Sequence, residues 1–131
     1  MTAPPQRASS PSKGMLQFGD LPIPSPALLA PMSGITDRPF RRLIRRCNPK
    51  AVGLYTTEFI SSEALWNKSQ RSLLMMRSDQ DEFPFAVQLF GRNIERMVHA
   101  GKIAVDQGAQ LIDINAGCPA PKVVKRGGGA A

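Results

Sequence analysis

Phe85-Ala86-Val87-Gln88-Leu89-Phe90, then Asn93 leading a run with Ile94, Met97, Val98, Ala104 and Val105, then Leu111-Ile112-Asp113-Ile114-Asn115: this stretch decides the fold. The first segment is short, nearly all apolar and bounded by Pro84 and Gly91, which suits a strand buried on both faces. Asn93 is a favourable helix cap, and the apolar residues after it predict a stripe along one helix face. Gly108 punctuates the helix end. A second run of branched residues then reads as another strand. A strand, a helix of about three turns and a strand make a crossover unit, so the two strands run parallel.

The same alternation extends upstream. Ala27-Leu28-Leu29-Ala30 is a short apolar run ending at Pro31-Met32, and a helix opened by Thr36 or Asp37 follows it. Pro39 is tolerated in the first turn. Phe40, Leu43, Ile44 and Cys47 recur at helical spacing and predict the buried face, which leaves Arg41, Arg42, Arg45 and Arg46 for a solvated one. Asn48-Pro49 ends the helix, since the residue before proline avoids helical geometry. A strand fits Ala51–Thr57, and a helix capped by Ser61 or Ser62 fits roughly Ser62–Arg77.

Two architectures contain such units: an open doubly wound sheet and a (β/α)8 TIM barrel. No G-x-G-x-x-G follows the first strand, which instead ends Pro31-Met32-Ser33-Gly34. Polar residues collect at the strands' C-terminal ends as Ser33, Glu58, Gln88 and Asn115, where barrels build their active sites. The α/β reading is therefore the N-terminal half of a TIM barrel over residues 26–131, about four β/α units, truncated relative to the roughly 250 residues a barrel needs. Residues 1–25, rich in Pro, Ser and Gly, read as a poorly ordered tail and lead-in.

Composition narrows the setting. The apolar share of 42% is that of a globular chain, and no apolar run approaches membrane-spanning length. Residues 1–13 lack the apolar segment of a secretory signal. Arg7, Ser9, Ser10 and Lys13 precede the first acidic residue, Asp20, but a simple tail is preferred to a transit peptide. The two cysteines, Cys47 and Cys118, suggest neither a disulfide framework nor a metal site, which fits a reducing cytoplasm. A net charge of +7 favours a polyanionic partner.

The chemistry concentrates in Asn115-Ala116-Gly117-Cys118-Pro119-Ala120-Pro121-Lys122. A free thiol has a pKa of about 8.5, so Cys118 can donate a proton near neutrality, or attack as a thiolate where a neighbour lowers that value. The competing reading is a buried, inert cysteine. His99, the sole histidine, falls on a helix predicted to lie outside the barrel, which disfavours a Cys–His pair.

Ala30-Pro31-Met32-Ser33-Gly34-Ile35-Thr36-Asp37-Arg38-Pro39-Phe40-Arg41, Gln88-Leu89-Phe90-Gly91 and Asp113-Ile114-Asn115-Ala116-Gly117-Cys118-Pro119 together resemble the tRNA-dihydrouridine synthases. Pro121-Lys122-Val123-Val124 extends the likeness toward the bacterial B-type branch. The resemblance implies a barrel with FMN at its C-terminal mouth, followed by a smaller helical tRNA-binding domain. It implies reduction of the C5–C6 double bond of uridine in tRNA, with NADPH as electron donor and Cys118 as proton donor. Pro31, Met32, Ser33 and Gln88 would lie against FMN. Asn115 would meet the base, and Lys122, Lys125 and Arg126 would lie near tRNA. Glu58 and Asp113 form a second tier, with ordering of the barrel interior as the other reading. No metal and no membrane are implied. The whole enzyme is expected to be monomeric, and the isolated half-barrel inactive and prone to self-association. Two other classes remain: an FMN barrel acting on a free pyrimidine, and a non-catalytic RNA-binding fragment.

Overall fold

A computed structural model describes residues 16–125 and 127–130. An antiparallel hairpin, β1 (Leu16–Phe18) and β2 (Leu21–Ile23), leads into β3 (Ala27–Leu29) and α1 (Arg38–Cys47). Then come β4 (Val52–Thr56), β5 (Ile60–Ser61), α2 (Ser62–Trp66), α3 (Gln70–Met75), β6 (Phe85–Phe90), α4 (Ile94–Asp106), β7 (Leu111–Ile114) and α5 (Pro121–Val124). The tail assigned to residues 1–25 falls partly outside the described residues. Its described part carries the hairpin, which turns at Gly19 with φ +58°.

Strands β3, β4, β6 and β7 lie side by side in chain order, each parallel to the next. A doubly wound sheet would reverse that order at its switch point. Steady progression in one direction is the winding of a barrel, so the chain forms part of a TIM barrel. β5 resumes the partnership of β4 with β6 after a bulge. Tyr55 and Thr56 pair with Phe85 and Ala86, while Ile60 and Ser61 pair with Leu89 and Phe90. Three residues, Thr57, Glu58 and Phe59, thus stand opposite two, Val87 and Gln88. Bulges of this kind re-aim side chains beside active sites.

Period-2 alternation divides the sheet's side chains. Tyr55, Phe85, Val87 and Leu89 face the helices and form the main core with Leu65, Met76, Ala100, Ala104 and Ala109. Phe85, Val87 and Leu89 are fully buried, each contributing about 1.5–3 kcal/mol by leaving water. Leu54 and Ala86 face the other way, toward the barrel interior, where Ile23 of the lead-in covers them. The crossing is tight: a Cβ at Gly53 would overlap the Ser25 carbonyl oxygen and lie 2.7 Å from Ile23 Cγ2.

The helix stripes come out rotated. On α1, capped by Asp37 as expected, Arg41 is fully buried and Arg45 nearly so, while Leu43 and Cys47 are exposed. The solvated arginine face is thus half wrong: only Arg42 and Arg46 of the four are exposed. The reason is the acidic segment that follows α3. Arg41 Nε pairs with Glu82, Nη1 donates to the Thr36 carbonyl at 2.9 Å, and Nη2 donates to the Arg77 carbonyl at 2.8 Å. Its guanidinium also lies over the Phe85 ring, 5.1 Å from the centroid. Arg45 donates to Asp79 at 2.8 Å and to Asp81 at 3.0 Å. On α4, Met97, Ala100, Ile103 and Ala104 meet the core, whereas Ile94, Val98 and Val105 of the expected stripe are exposed about a third of a turn away. The single helix expected over Ser62–Arg77 is two, broken at Asn67-Lys68, where Lys68 adopts φ +57°.

Two outcomes follow for stability, measured as urea midpoints at fixed protein concentration. Glu82→Gln leaves the Arg41 charge buried without its counter-ion and costs about 3–5 kcal/mol. Asp79→Asn has a smaller, pH-dependent effect. Hydrogen bonds from Arg38 first, and from Arg45 after the opposing cost of burial, hold the Asp79 carboxyl below its usual range. A lowered folded pKa stabilises the fold above the unfolded value and loses that contribution as pH falls through the folded one. The wild-type advantage over Asp79→Asn is therefore full at neutral pH and shrinks as pH drops below about 3.9.

Candidate active site

The C-terminal ends of β3, β4, β6 and β7 bring most of the residues picked out in the sequence to one side of the sheet. Asp113 and Asn115 lie two apart on β7 and its extension, so they share the inner face with Gln88 of β6, whose register partner is Asp113. Gln88 Nε2 donates to Asp113 Oδ2 at 2.7 Å, and Asn115 Nδ2 donates to Gln88 Oε1 at 3.1 Å. Asn115 Oδ1 then accepts the backbone N–H of Cys118 at 3.1 Å and that of Gly117 at 3.3 Å. A continuous row of side chains thus runs from the sheet interior to the cysteine loop. Gln88 is 6% exposed, and its amide meets its need for partners within the protein. One Nε2 hydrogen and one Oε1 lone pair stay available on it.

Cys118 is half-buried and free, and its backbone is fixed on both sides, because its carbonyl accepts from Ala130 N–H at 3.1 Å. The glycines before Ala130 make that return possible. Gly129 has φ +62°, and a Cβ there would overlap the Cys118 carbonyl oxygen. A Cβ on Gly128 would lie 2.7 Å from the Phe90 ring, and one on Gly127 would lie 2.5 Å from Arg92 Cδ. These glycines are site residues that sequence reasoning misses, because they stand where a crossover helix should start. Their signal is the triplet itself, a place where another backbone approaches closely.

The loop after β3 is braced separately. Thr36, fully buried, accepts the Met32 N–H on Oγ1 at 2.9 Å and returns a bond to the Met32 carbonyl at 3.1 Å. Glu58, at the bulge, accepts the N–H of Gly34, which has φ +72°. Pro31 and Met32 are half-buried there and Ser33 is exposed. Glu58 therefore holds backbone in place. Between this loop and β7 lies a hollow of about 490 Å³ lined by Leu28, Ala30, Pro31, Leu54, Thr56 and Asp113, among others.

Lys125 is exposed just after α5, Lys122 lies within α5, and the Lys122 side chain and Arg126 fall outside the described residues. The structure adds Arg92 and Arg96, which line a second hollow of about 640 Å³ between α2 and α4. Arg96 pairs with Glu63 and thereby lowers that carboxyl's pKa. His99 is exposed on α4 and packs edge-on against Trp66 at 5.2 Å, on the helix layer rather than at the cysteine loop. Among the described residues, no group of three or more His, Cys, Asp or Glu could hold a metal ion, and no helix is long and apolar enough to cross a membrane.

The geometry is that of part of an α/β barrel whose strand ends carry a polar row leading to a loop cysteine. The family profile described as "Dihydrouridine synthase (Dus)" matches residues 28–131, and the chain belongs to that family. It is 39% identical over 118 residues to "tRNA-dihydrouridine synthase B" of Pseudomonas aeruginosa, covering 89% of this chain and 34% of that protein. It is 45% identical over 116 residues to "Probable tRNA-dihydrouridine synthase 1" of a Synechocystis species, covering 88% of this chain and 32% of the relative. A "Probable tRNA-dihydrouridine synthase" of Mycobacterium tuberculosis is 38% identical over 131 residues, 96% of this chain and 33% of the relative. The chain thus spans about a third of the length of the curated relatives it matches.

Gly129→Ala tests the brace on the cysteine. The added methyl meets the Cys118 carbonyl in a backbone conformation that costs an L-residue roughly 1–2 kcal/mol. In a Cys47→Ser background, the alkylation rate of Cys118 is expected to rise as the loop is released.

Proposed function

We propose that this chain supplies the front part of an FMN-dependent enzyme that reduces the C5–C6 double bond of uridine in tRNA, with NADPH as electron source and Cys118 as proton donor. One observation carries the reading: the polar row Asp113–Gln88–Asn115 ends on the backbone of Cys118. Such a row holds a thiol beside the barrel mouth. An inert core cysteine needs no such support.

The residues present suit a flavin. The hollow beside β3 is apolar along Leu28, Ala30, Pro31 and Leu54, as a flat, largely apolar ring requires. Pro31, Met32 and Ser33 would hold the cofactor from the strand-end loop, and the spare N–H and lone pair of Gln88 would meet its polar edge. FMN held there would supply the hydride for C6 of the base, with NADPH as the source of its electrons.

The chain's own part is proton delivery and positioning. Cys118 holds the proton on Sγ and passes it to C5 from the face of the base opposite the hydride, which balances the two-electron reduction. A thiol suits this role because it stays protonated near neutral pH while remaining a competent acid. Asn115 has one N–H left with which to orient the base. Lys122, Lys125 and Arg126, which follow the cysteine loop in the sequence, together with Arg92, would contact phosphate and make tRNA binding salt-dependent. On its own, this chain has unpaired edges at β3 and β7 among the described residues, which favours self-association and little activity.

The test uses an enzyme of the relatives' full length carrying residues 16–130 of this chain. Cys118→Ala is expected to leave FMN content and reduction by NADPH unchanged, while tRNA-dependent reoxidation of the flavin falls by about 100-fold or more, the scale of a lost general acid. Stopped-flow flavin absorbance reads both half-reactions. Unchanged reoxidation by tRNA would remove Cys118 from the mechanism.

A further inference from the structure

We infer that Asp113 is a positioning residue whose carboxylate locks the sense of the side-chain row and, through it, the seat of Cys118. The functional consequence rests on the proposed role of Cys118, whereas the hydrogen-bond chain itself does not.

The two amides between Asp113 and the loop could be arranged in either of two senses. Gln88 and Asn115 each carry a donor end and an acceptor end, and nothing intrinsic to an amide favours one orientation. The loop N–H groups, which only donate, set the sense from one end, and the Asp113 carboxylate locks it from the other because it only accepts, where an amide in its place could also present a donor. Gln88 therefore turns Nε2 toward Asp113, at 2.7 Å, and leaves Oε1 facing Asn115. That oxygen, in turn, requires Nδ2 from Asn115, at 3.1 Å, and leaves Oδ1 facing the loop. There it accepts the N–H groups of Gly117 and Cys118. Reversing the row would set the Asn115 NH2 against those two N–H groups, donor against donor. The loop would lose its anchor. Asp113 thus acts two side chains away from the cysteine, without touching it.

The same polarity fixes what Asn115 can offer a ligand. Its oxygen is committed to the loop and one Nδ2 hydrogen to Gln88, so one N–H donor remains. A ring carbonyl can accept that donor, and an exocyclic amino group in the same position cannot. The row thus fixes Asn115 as a donor toward a ligand, from a half-buried carboxylate behind it.

Hydrogen-exchange mass spectrometry on this chain tests the inference, because it reads the Gly117 and Cys118 amides whether or not the chain self-associates. Asp113→Asn is expected to speed their exchange about tenfold, while Val87 and Leu89 in the central strand stay protected. Gln88→Glu alone sets carboxylate against carboxylate and produces the same loss. The deciding variant is Gln88→Glu combined with Asp113→Asn, which moves the carboxylate one place along the row. The amide introduced on β7 can then donate to the carboxylate introduced on β6. That carboxylate also accepts from Asn115, so protection at Cys118 returns to within about twofold of wild type. If Asp113→Asn leaves the loop amides protected, or the double variant exchanges as fast as the single ones, the inference is overturned. Should a single variant also loosen Val87 and Leu89, recovery in the double variant still decides, since restored polarity must repair both regions. Failure of Cys118→Ala in the flavin assay would remove the thiol's role and leave these exchange results standing.

Discussion

The buried Arg41 guanidinium is the contact on which the arrangement of the site depends. It joins three pieces of chain that share no backbone hydrogen-bond ladder: the loop after β3 through Thr36, the turn after α3 through Arg77, and the lead into β6 through Glu82. An arginine can do this because its planar group carries five donors spread over a wide arc. A lysine would bring one point of charge to the same place. Isolated burial of such a charge is very costly, so Glu82 must be present and equally buried, as it is. Thr36 in turn orders Met32, so a pair lying outside the barrel fixes a strand end inside its mouth.

That pair also explains where the sequence was legible and where it was not. β6, α4 and β7 could be read directly, because an all-apolar strand, an Asn cap and a terminating glycine each carry a local signal. α1 has the same quality of signal at its ends, and its cap and stop fall where expected. Its buried face does not, because periodicity counts arginine as a solvent residue. Only the partner segment Asp79–Glu82, far downstream in the chain, turns Arg41 and Arg45 inward. The hairpin before β3, the break at Lys68 and the bulge at Thr57–Phe59 were equally invisible. Lys68 takes a left-handed conformation that its residue type does not announce, and the bulge shows only once the β4–β6 register is known.

The site divides along the same line. Cys118, Asn115, Gln88 and Asp113 could be picked out because polar residues in apolar strands are conspicuous, and the parallel register brings them together. Their individual roles were not legible. In the sequence, Gln88 was a strand-end residue expected against FMN, and Asp113 a second-tier acid that could equally order the barrel interior. The fold supplies each to the other. Glu58 likewise stood at a strand end as a second-tier candidate, and its contact is with the Gly34 backbone. A polar residue at a barrel mouth can serve the scaffold as readily as the substrate, and only its partners distinguish the two.

What makes Cys118 different from its polar neighbours is the division between its backbone and its side chain. Its N–H is held by Asn115 and its carbonyl by Ala130, so the main chain has little freedom left. Among these contacts none engages the sulfur. The proposed role of Cys118, giving up a proton and regaining it at each turnover, calls for this combination: a fixed point of attachment, with rotation only about the side-chain bonds. Were the sulfur itself tied into the row, its proton would be shared with the scaffold and less available to a ligand. Were the backbone untied, each turnover would begin with a search for the reactive geometry, at a cost in entropy that binding would have to offset. Gly129 belongs to this same requirement, because only a residue without a side chain can close so tightly over the carbonyl of Cys118. A loop of one cysteine, two prolines and an asparagine is therefore one part of a device whose other part lies further along the chain.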